Sequence, residues 1–190
     1  IHAAGGAESC NSFSNFYLAC LGQVSWNAVP AIPPEIVLLP EWFYFHLSKV
    51  SAWTRTMILP LSIVTTRRPV RRLPQSLGIS ELYLDQRERN RLSATVEAPA
   101  FWSFFFRTVD RALKLLHPLG GTPFRGTALR RTVKWMLHRS SQDGQAATDG
   151  LGAIFPPMVY LQIALKAMGW RRDDPVLKRA ERDLDDFFLE

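Results

Sequence analysis

Three carboxylates within four residues, Asp183, Asp185 and Asp186, have the types and spacing for proton chemistry. A carboxyl group held beside other carboxylates keeps its proton to higher pH, and a protonated acid is what general-acid catalysis requires. Such an acid must be shielded from water. Here the neighbours Glu181, Arg182 and Glu190 read instead as a solvated face. The four histidines, at 2, 46, 117 and 138, lack the spacing of metal ligands. Cys10 and Cys20 fall on or beside one helix, about 15 Å apart at 1.5 Å per residue, too far for a disulfide. Both are expected as free thiols, which suits a reducing compartment.

The second group of interest is aromatic. From Pro99 to Leu116, Phe105, Val109, Ala112, Leu113 and Leu116 read as a core stripe, opposed by Arg107, Asp110, Arg111 and Lys114. The first two turns differ, because Phe101, Trp102, Phe104, Phe105 and Phe106 spread apolar surface around nearly the whole circumference. A helix end of that kind is a core plug, a partner contact or a segment dipped into lipid.

Helices must position these groups. Phe13, Phe16, Tyr17, Cys20 and Leu21 recur at helical spacing, as do Leu129, Val133, Met136 and Leu137. Asp174-Pro175 predicts an N-cap followed by proline in the first turn, with Leu177, Ala180, Leu184, Phe187 and Phe188 as the stripe behind it. Pro156-Pro157 opens another helix and fixes its backbone. Breaks fall at Pro30 to Pro34, Pro69 to Pro74, His117 to Pro123 and Ser140 to Gly152. No alternating strand pattern competes, so the expected fold is all-α, built from paired amphipathic helices as an α/α toroid.

With 47% hydrophobic and 21% charged residues the chain has the composition of a globular protein with a sizeable core. A net charge of +6 favours anionic partners. Nucleic acid is not among those expected, because Arg67-Arg68-Pro69-Val70-Arg71-Arg72 and Arg130-Arg131 fit no binding motif and the aromatics do not interleave with arginine. Solvated helix ends or contact with lipid phosphate remain for those runs. The most apolar run, Met57 to Val64, is interrupted by Pro60 and Ser62 and is too short to cross a bilayer.

Two separated stretches carry a resemblance. Residues 25 to 64, with Ser25-Trp26-Asn27-Ala28-Val29-Pro30, Ala31-Ile32-Pro33-Pro34-Glu35, Leu39-Pro40-Glu41-Trp42-Phe43 and Ser51-Ala52-Trp53-Thr54-Arg55-Thr56, and then Asp149-Gly150-Leu151-Gly152-Ala153-Ile154-Phe155-Pro156-Pro157-Met158, resemble the bacterial squalene–hopene cyclases in order and spacing. The resemblance implies the double α-barrel of the triterpene cyclases. Residues 1–150 would belong to the smaller inserted barrel, with a membrane-contacting helix near 99–116, and residues 151–190 would enter the larger one. Gln142 to Phe155 looks like a degenerate copy of the family's Gln/Trp repeat.

The same resemblance implies an enzyme that protonates squalene and cyclises it to hopene or hopanol, with no metal or organic cofactor; a cyclase of another polyprenyl lipid and a non-catalytic membrane-surface helical module are the alternatives. Trp53 would line the cyclisation cavity, where an aromatic face stabilises a carbocation without attacking it. Packing between helices is its alternative. Ile154, Phe155, Pro156 and Tyr160 would shape the far end of the cavity, and Val50 and Ile58 would stand at its entrance. Phe155 and Met158 replace a glutamine and a tryptophan found in one branch of the family, which removes an amide from the far end. Phe101, Trp102, Phe104, Phe105 and Phe106 would touch one leaflet, at the cytoplasmic face of the bacterial inner membrane, and a homodimer is compatible with the family. Asp183-Leu184-Asp185-Asp186 fits the family's Asp-x-Asp-Asp acid motif, but Phe187 replaces the following threonine and the motif belongs well beyond Pro157. The acid is therefore expected outside this chain, which begins without methionine and reads as a piece of a longer protein.

Overall fold

The computed structural model describes residues 3, 5–85, 88–90, 99–140, 151–152 and 154–188. His2, most of the Gln142–Phe155 repeat, the side chain of Phe187, and Glu190 lie outside that description. Among the described residues every regular element is helical: α1 (Ser12–Cys20), α2 (Ala52–Arg67), α3 (Ala100–Leu116), α4 (Arg125–Ser140), α5 (Phe155–Ala167) and α6 (Pro175–Phe187), joined by loops with short 3-10 turns. They divide into two compact units, one of residues 1–31 and 68–121, the other of residues 32–67 and 122–190.

In the second unit α2 is central. Thr56, Met57 and every residue from Leu59 to Thr65 are buried, as expected of a helix with apolar groups on all sides. α5, α4 and the 3-10 turn Pro34–Leu38 cover it, and α6 packs on α5. Burying α2 also buries hydroxyls, which must find acceptors. Ser62 Oγ donates to the Leu59 carbonyl (2.6 Å) and Thr65 Oγ1 to the Ile32 carbonyl (3.0 Å).

The other helices of this unit start where the sequence predicts. Pro156-Pro157 occupies the first turn of α5, whose Met158, Tyr160, Leu161, Ala164 and Leu165 are buried. Asp174 caps α6 by accepting the Val176 N–H (2.9 Å), and Leu177 and Ala180 point inward. On α4 the expected stripe divides: Leu129 and Met136 are buried with Ala128 and Thr132, while Val133 and Leu137 are only half-buried. Glu35 Oε1 accepts from Thr122 Oγ1 (2.5 Å) and Arg125 Nε (3.2 Å), which ties the Pro34–Leu38 turn to the start of α4.

The first unit is held differently. Asn11 caps α1 by accepting the Ser14 N–H (2.9 Å), but the inward face is Asn15, Phe16 and Ala19, and Phe13 of the expected stripe is exposed. Around α1, irregular backbone is satisfied by side chains. Glu8 Oε1 accepts the Asp85 N–H (2.8 Å), Asn90 Oδ1 accepts the Ser25 N–H (2.8 Å), and the Gln23 carbonyl accepts Arg89 Nε.

α3 corrects the sequence reading. None of its residues is buried, so Phe105, Val109, Ala112, Leu113 and Leu116 form no core stripe. The side it turns to its unit is polar. Asp110 Oδ1 accepts the Ala31 N–H (2.7 Å), while Lys114 Nζ donates to Asp110 Oδ2 (2.7 Å) and to the Asn27 carbonyl (2.9 Å). The reason is local: the loop at 27–31 presents backbone groups that need partners, and Asp110 and Lys114 supply them, leaving the aromatic side outward.

Two outcomes follow. Leu165→Ala, in the core of the second unit, is expected to cost about 2–5 kcal/mol in urea unfolding, whereas Phe104→Ala, at 71% exposure, should stay within about 0.5 kcal/mol. Both cysteines are free, and burial pushes the Cys20 thiol from 9.0 up to about 11. The folded chain then keeps a proton that the unfolded chain releases, so this contribution is intact below pH 9 and lost as pH rises toward about 11. Stability measured across that range in wild type and Cys20→Ser should show the alkaline decline smaller in the variant.

Candidate functional site

The N-terminal turn of α2 is set by Ser51, whose Oγ accepts the Thr54 N–H (3.1 Å) and lies 2.7 Å from Thr54 Oγ1. That cap holds Trp53 in the first turn, where its side chain is 52% exposed. One turn on, Thr56 is buried and its hydroxyl donates to the Trp53 carbonyl (2.7 Å). Against Thr56 lies Gly152. A Cβ on that glycine would stand 3.0 Å from Thr56 Oγ1 and 3.4 Å from both Thr56 Cβ and Cγ2, and its φ of +81° is one that L side chains rarely adopt.

This close approach joins two stretches that the sequence separates by about a hundred residues. Leu151 is fully buried just before the crossing, Ile154 follows in extended conformation, and Phe155 begins α5. Phe155 is 39% exposed and its ring meets that of Phe188 edge to face, with centroids 5.6 Å apart. Ile154 and Pro156 are half-buried, whereas Tyr160 is fully buried within the unit. Val50 and Ile58 are half-buried, before and within α2.

Chemically, the exposed faces of Trp53 and Phe155 can bind apolar surface or stabilise a cation. Neither carries a labile proton. Asp185 and Asp186 are exposed on α6, not enclosed in a water-free pocket. Nearby Glu181 pairs with Lys166 (3.1 Å). Among the described residues no group of three or more His, Cys, Asp or Glu could hold a metal ion. His46 serves as a cap: its Nδ1 accepts the Ser48 N–H (3.1 Å).

Sequence reasoning gave no role to Thr56 or Gly152, whose partnership has no local signature beyond glycine itself. Arg55 was also passed over. It is half-buried beside Trp53, and its Nε is shielded from water without a hydrogen-bond acceptor.

In the first unit, the start of α3 forms an aromatic cluster on an exposed face. Trp102 contacts Phe101, Phe105 and Phe106 with ring centroids 5.5, 5.9 and 5.9 Å away. Phe101, Phe104, Phe105 and Phe106 are all exposed, and Trp102 is half-buried. Among the described residues no helix is long and apolar enough to cross a membrane.

A family model described as squalene-hopene cyclase N-terminal domain matches residues 1–190. The chain is 36% identical over 188 residues to a squalene–hopene cyclase of Bradyrhizobium diazoefficiens, covering 97% of this chain and 27% of the relative. It is 34% identical over 187 residues to a dammaradiene synthase of Dryopteris crassirhizoma, covering 98% and 26%. A squalene–hopene cyclase of Alicyclobacillus acidocaldarius is 34% identical over 179 residues, covering 94% and 27%. The chain thus spans about a quarter of the length of these relatives.

Gly152→Ala is expected to cost about 1–2 kcal/mol, from the left-handed backbone and the clash with Thr56. Because Thr56 is bonded to the Trp53 carbonyl, the variant should also shift tryptophan emission, and that shift should vanish in a Trp53→Phe background.

Proposed function

We propose that this chain, which belongs to the squalene–hopene cyclase N-terminal domain family, supplies part of the cavity wall and the membrane contact of a triterpene cyclase. Its all-α fold is of the α/α-barrel type of that family. The observation that carries the reading is the approach of Gly152 to Thr56, which draws the Trp53 turn and the Ile154–Phe155 entry into one unit. The whole protein would fold squalene, or a similar polyprenyl lipid, inside a dry cavity. A carboxylic acid protonates the terminal alkene, successive π bonds close the rings, and the final cation loses a proton or takes up water. Trp53 stabilises positive charge with its ring, Ile154, Phe155 and Pro156 shape the far end with the fully buried Tyr160 packed behind them, and Val50 and Ile58 frame the entrance. The acid comes from outside this chain, since the exposed Asp185 and Asp186 do not suit the part.

The outward aromatic face of α3 supports a monotopic arrangement in which Phe101, Trp102, Phe104, Phe105 and Phe106 enter one leaflet, at the cytoplasmic face of the inner membrane. A water-insoluble substrate would then pass from bilayer to cavity without crossing water. On this reading residues 1–150 belong to the smaller barrel and 151–190 enter the larger one, in a protein that can pair as a homodimer. A second reading, a cyclase making a different triterpene, is favoured by the similarity to a dammaradiene synthase. Product analysis separates the two.

Trp53→Ala in the full-length protein should lower squalene turnover at least tenfold, and the isolated chain should give none. Turnover by the isolated chain would sink the placement of the acid elsewhere. In liposome flotation the triple change of Phe101, Phe104 and Phe106 to Ser should abolish binding of the chain; retention equal to the parent would remove α3 as the contact.

A further inference from the structure

We infer that a groove between α4 and the end of α5 binds a single-chain anionic amphiphile, a molecule with one phosphate or carboxylate head and one alkyl tail. The groove is open to solvent and offers about 540 Å³, within the range of small-molecule sites. Val133 and Leu137, the half of the α4 stripe that does not enter the core, line it on one side. Met168 and Trp170 line it on the other.

That second wall is fixed by its backbone. Gly169, at φ +92°, ends α5 in a Schellman turn: the Trp170 N–H donates to the Leu165 carbonyl (3.2 Å) and the Gly169 N–H to the Lys166 carbonyl (3.0 Å). Trp170 is thus held over the groove by hydrogen bonds that do not depend on a ligand.

Two cations, Arg130 and Lys134, edge the same groove beside the imidazole of His138. Arg130, Lys134 and His138 follow one another at intervals of four residues along one side of α4, and no carboxylate lines the groove among the described residues. Arg130 donates to Thr127 Oγ1 (3.2 Å). Like charges four residues apart on a helix repel, and an anion seated among these groups relieves the repulsion. A neutral alkyl chain would fill the apolar walls and leave the cations unmatched, while inorganic phosphate would do the reverse. Only an amphiphile satisfies both. The groove lies at the far end of α5 from Phe155, about 20 Å along the helix axis at 1.5 Å per residue, so it does not depend on the cavity-wall reading.

The test, run on the full-length protein, uses an alkyl phosphate brominated on its tail, because bromine quenches tryptophan on contact. Quenching that saturates below micelle formation, with a component lost in Trp170→Phe, is expected. R130Q/K134Q, which exchanges exposed charges for good helix formers, should raise the half-saturating concentration at least tenfold with an unchanged circular dichroism spectrum. The inference is overturned if the Trp170→Phe variant is quenched like the parent, or if the double variant binds as well as the parent. It is equally overturned if a brominated neutral maltoside quenches Trp170 at the same concentration, or if free phosphate competes at equal concentration.

Discussion

The burial of α2 on every side is the constraint from which the second unit is built. A helix with apolar groups around its circumference cannot rest on a surface, so neighbours must enclose it, and α4, α5 and the Pro34–Leu38 turn do so. Enclosure decides the rest. It sets the loop before α5 close against Thr56, where a side chain would be strained, and it confines α6 to the outside of α5. The Trp53 turn is the end of α2 left open, since burial begins at Thr56. Core and candidate cavity wall are therefore two portions of one helix.

The first unit follows another rule. Its loops and 3-10 turns leave backbone groups unpaired, and Glu8, Gln23, Asn90, Asp110 and Lys114 engage them. On α3 that need outranks the hydrophobic pattern. Each charge-assisted bond is worth more than a neutral one, and Asp110 engages both a backbone N–H and Lys114. The aromatic surface so displaced lies exposed.

Much of the fold was legible because it is written in local chemistry. Asp174-Pro175 and Pro156-Pro157 carry the residue types that favour a helix start, and Pro99 to Leu116 has a helical period whatever surrounds it. What periodicity cannot say is which face a neighbour will take. That is why the inward side of α3 was misassigned, why Asn15 and Ala19 displace Phe13 on α1, and why the α4 stripe divides between core and groove. The candidate site was readable only in part. Trp53 and Ile154 to Pro156 came from resemblance, while the Gly152–Thr56 contact that joins them spans about a hundred residues and leaves no trace in either segment alone.

The attachment of α3 also has a thermal consequence. A helix docked through Asp110 and Lys114, with none of its residues buried, exposes little new apolar surface when it lifts from its unit. Its release should carry a small heat-capacity change. The free energy holding it then varies almost linearly with temperature, unlike the curved dependence of the α2 core. Cooling, which weakens hydrophobic packing, would leave the hold on α3 nearly untouched, so the aromatic face would stay docked on its own unit under conditions that loosen an apolar core.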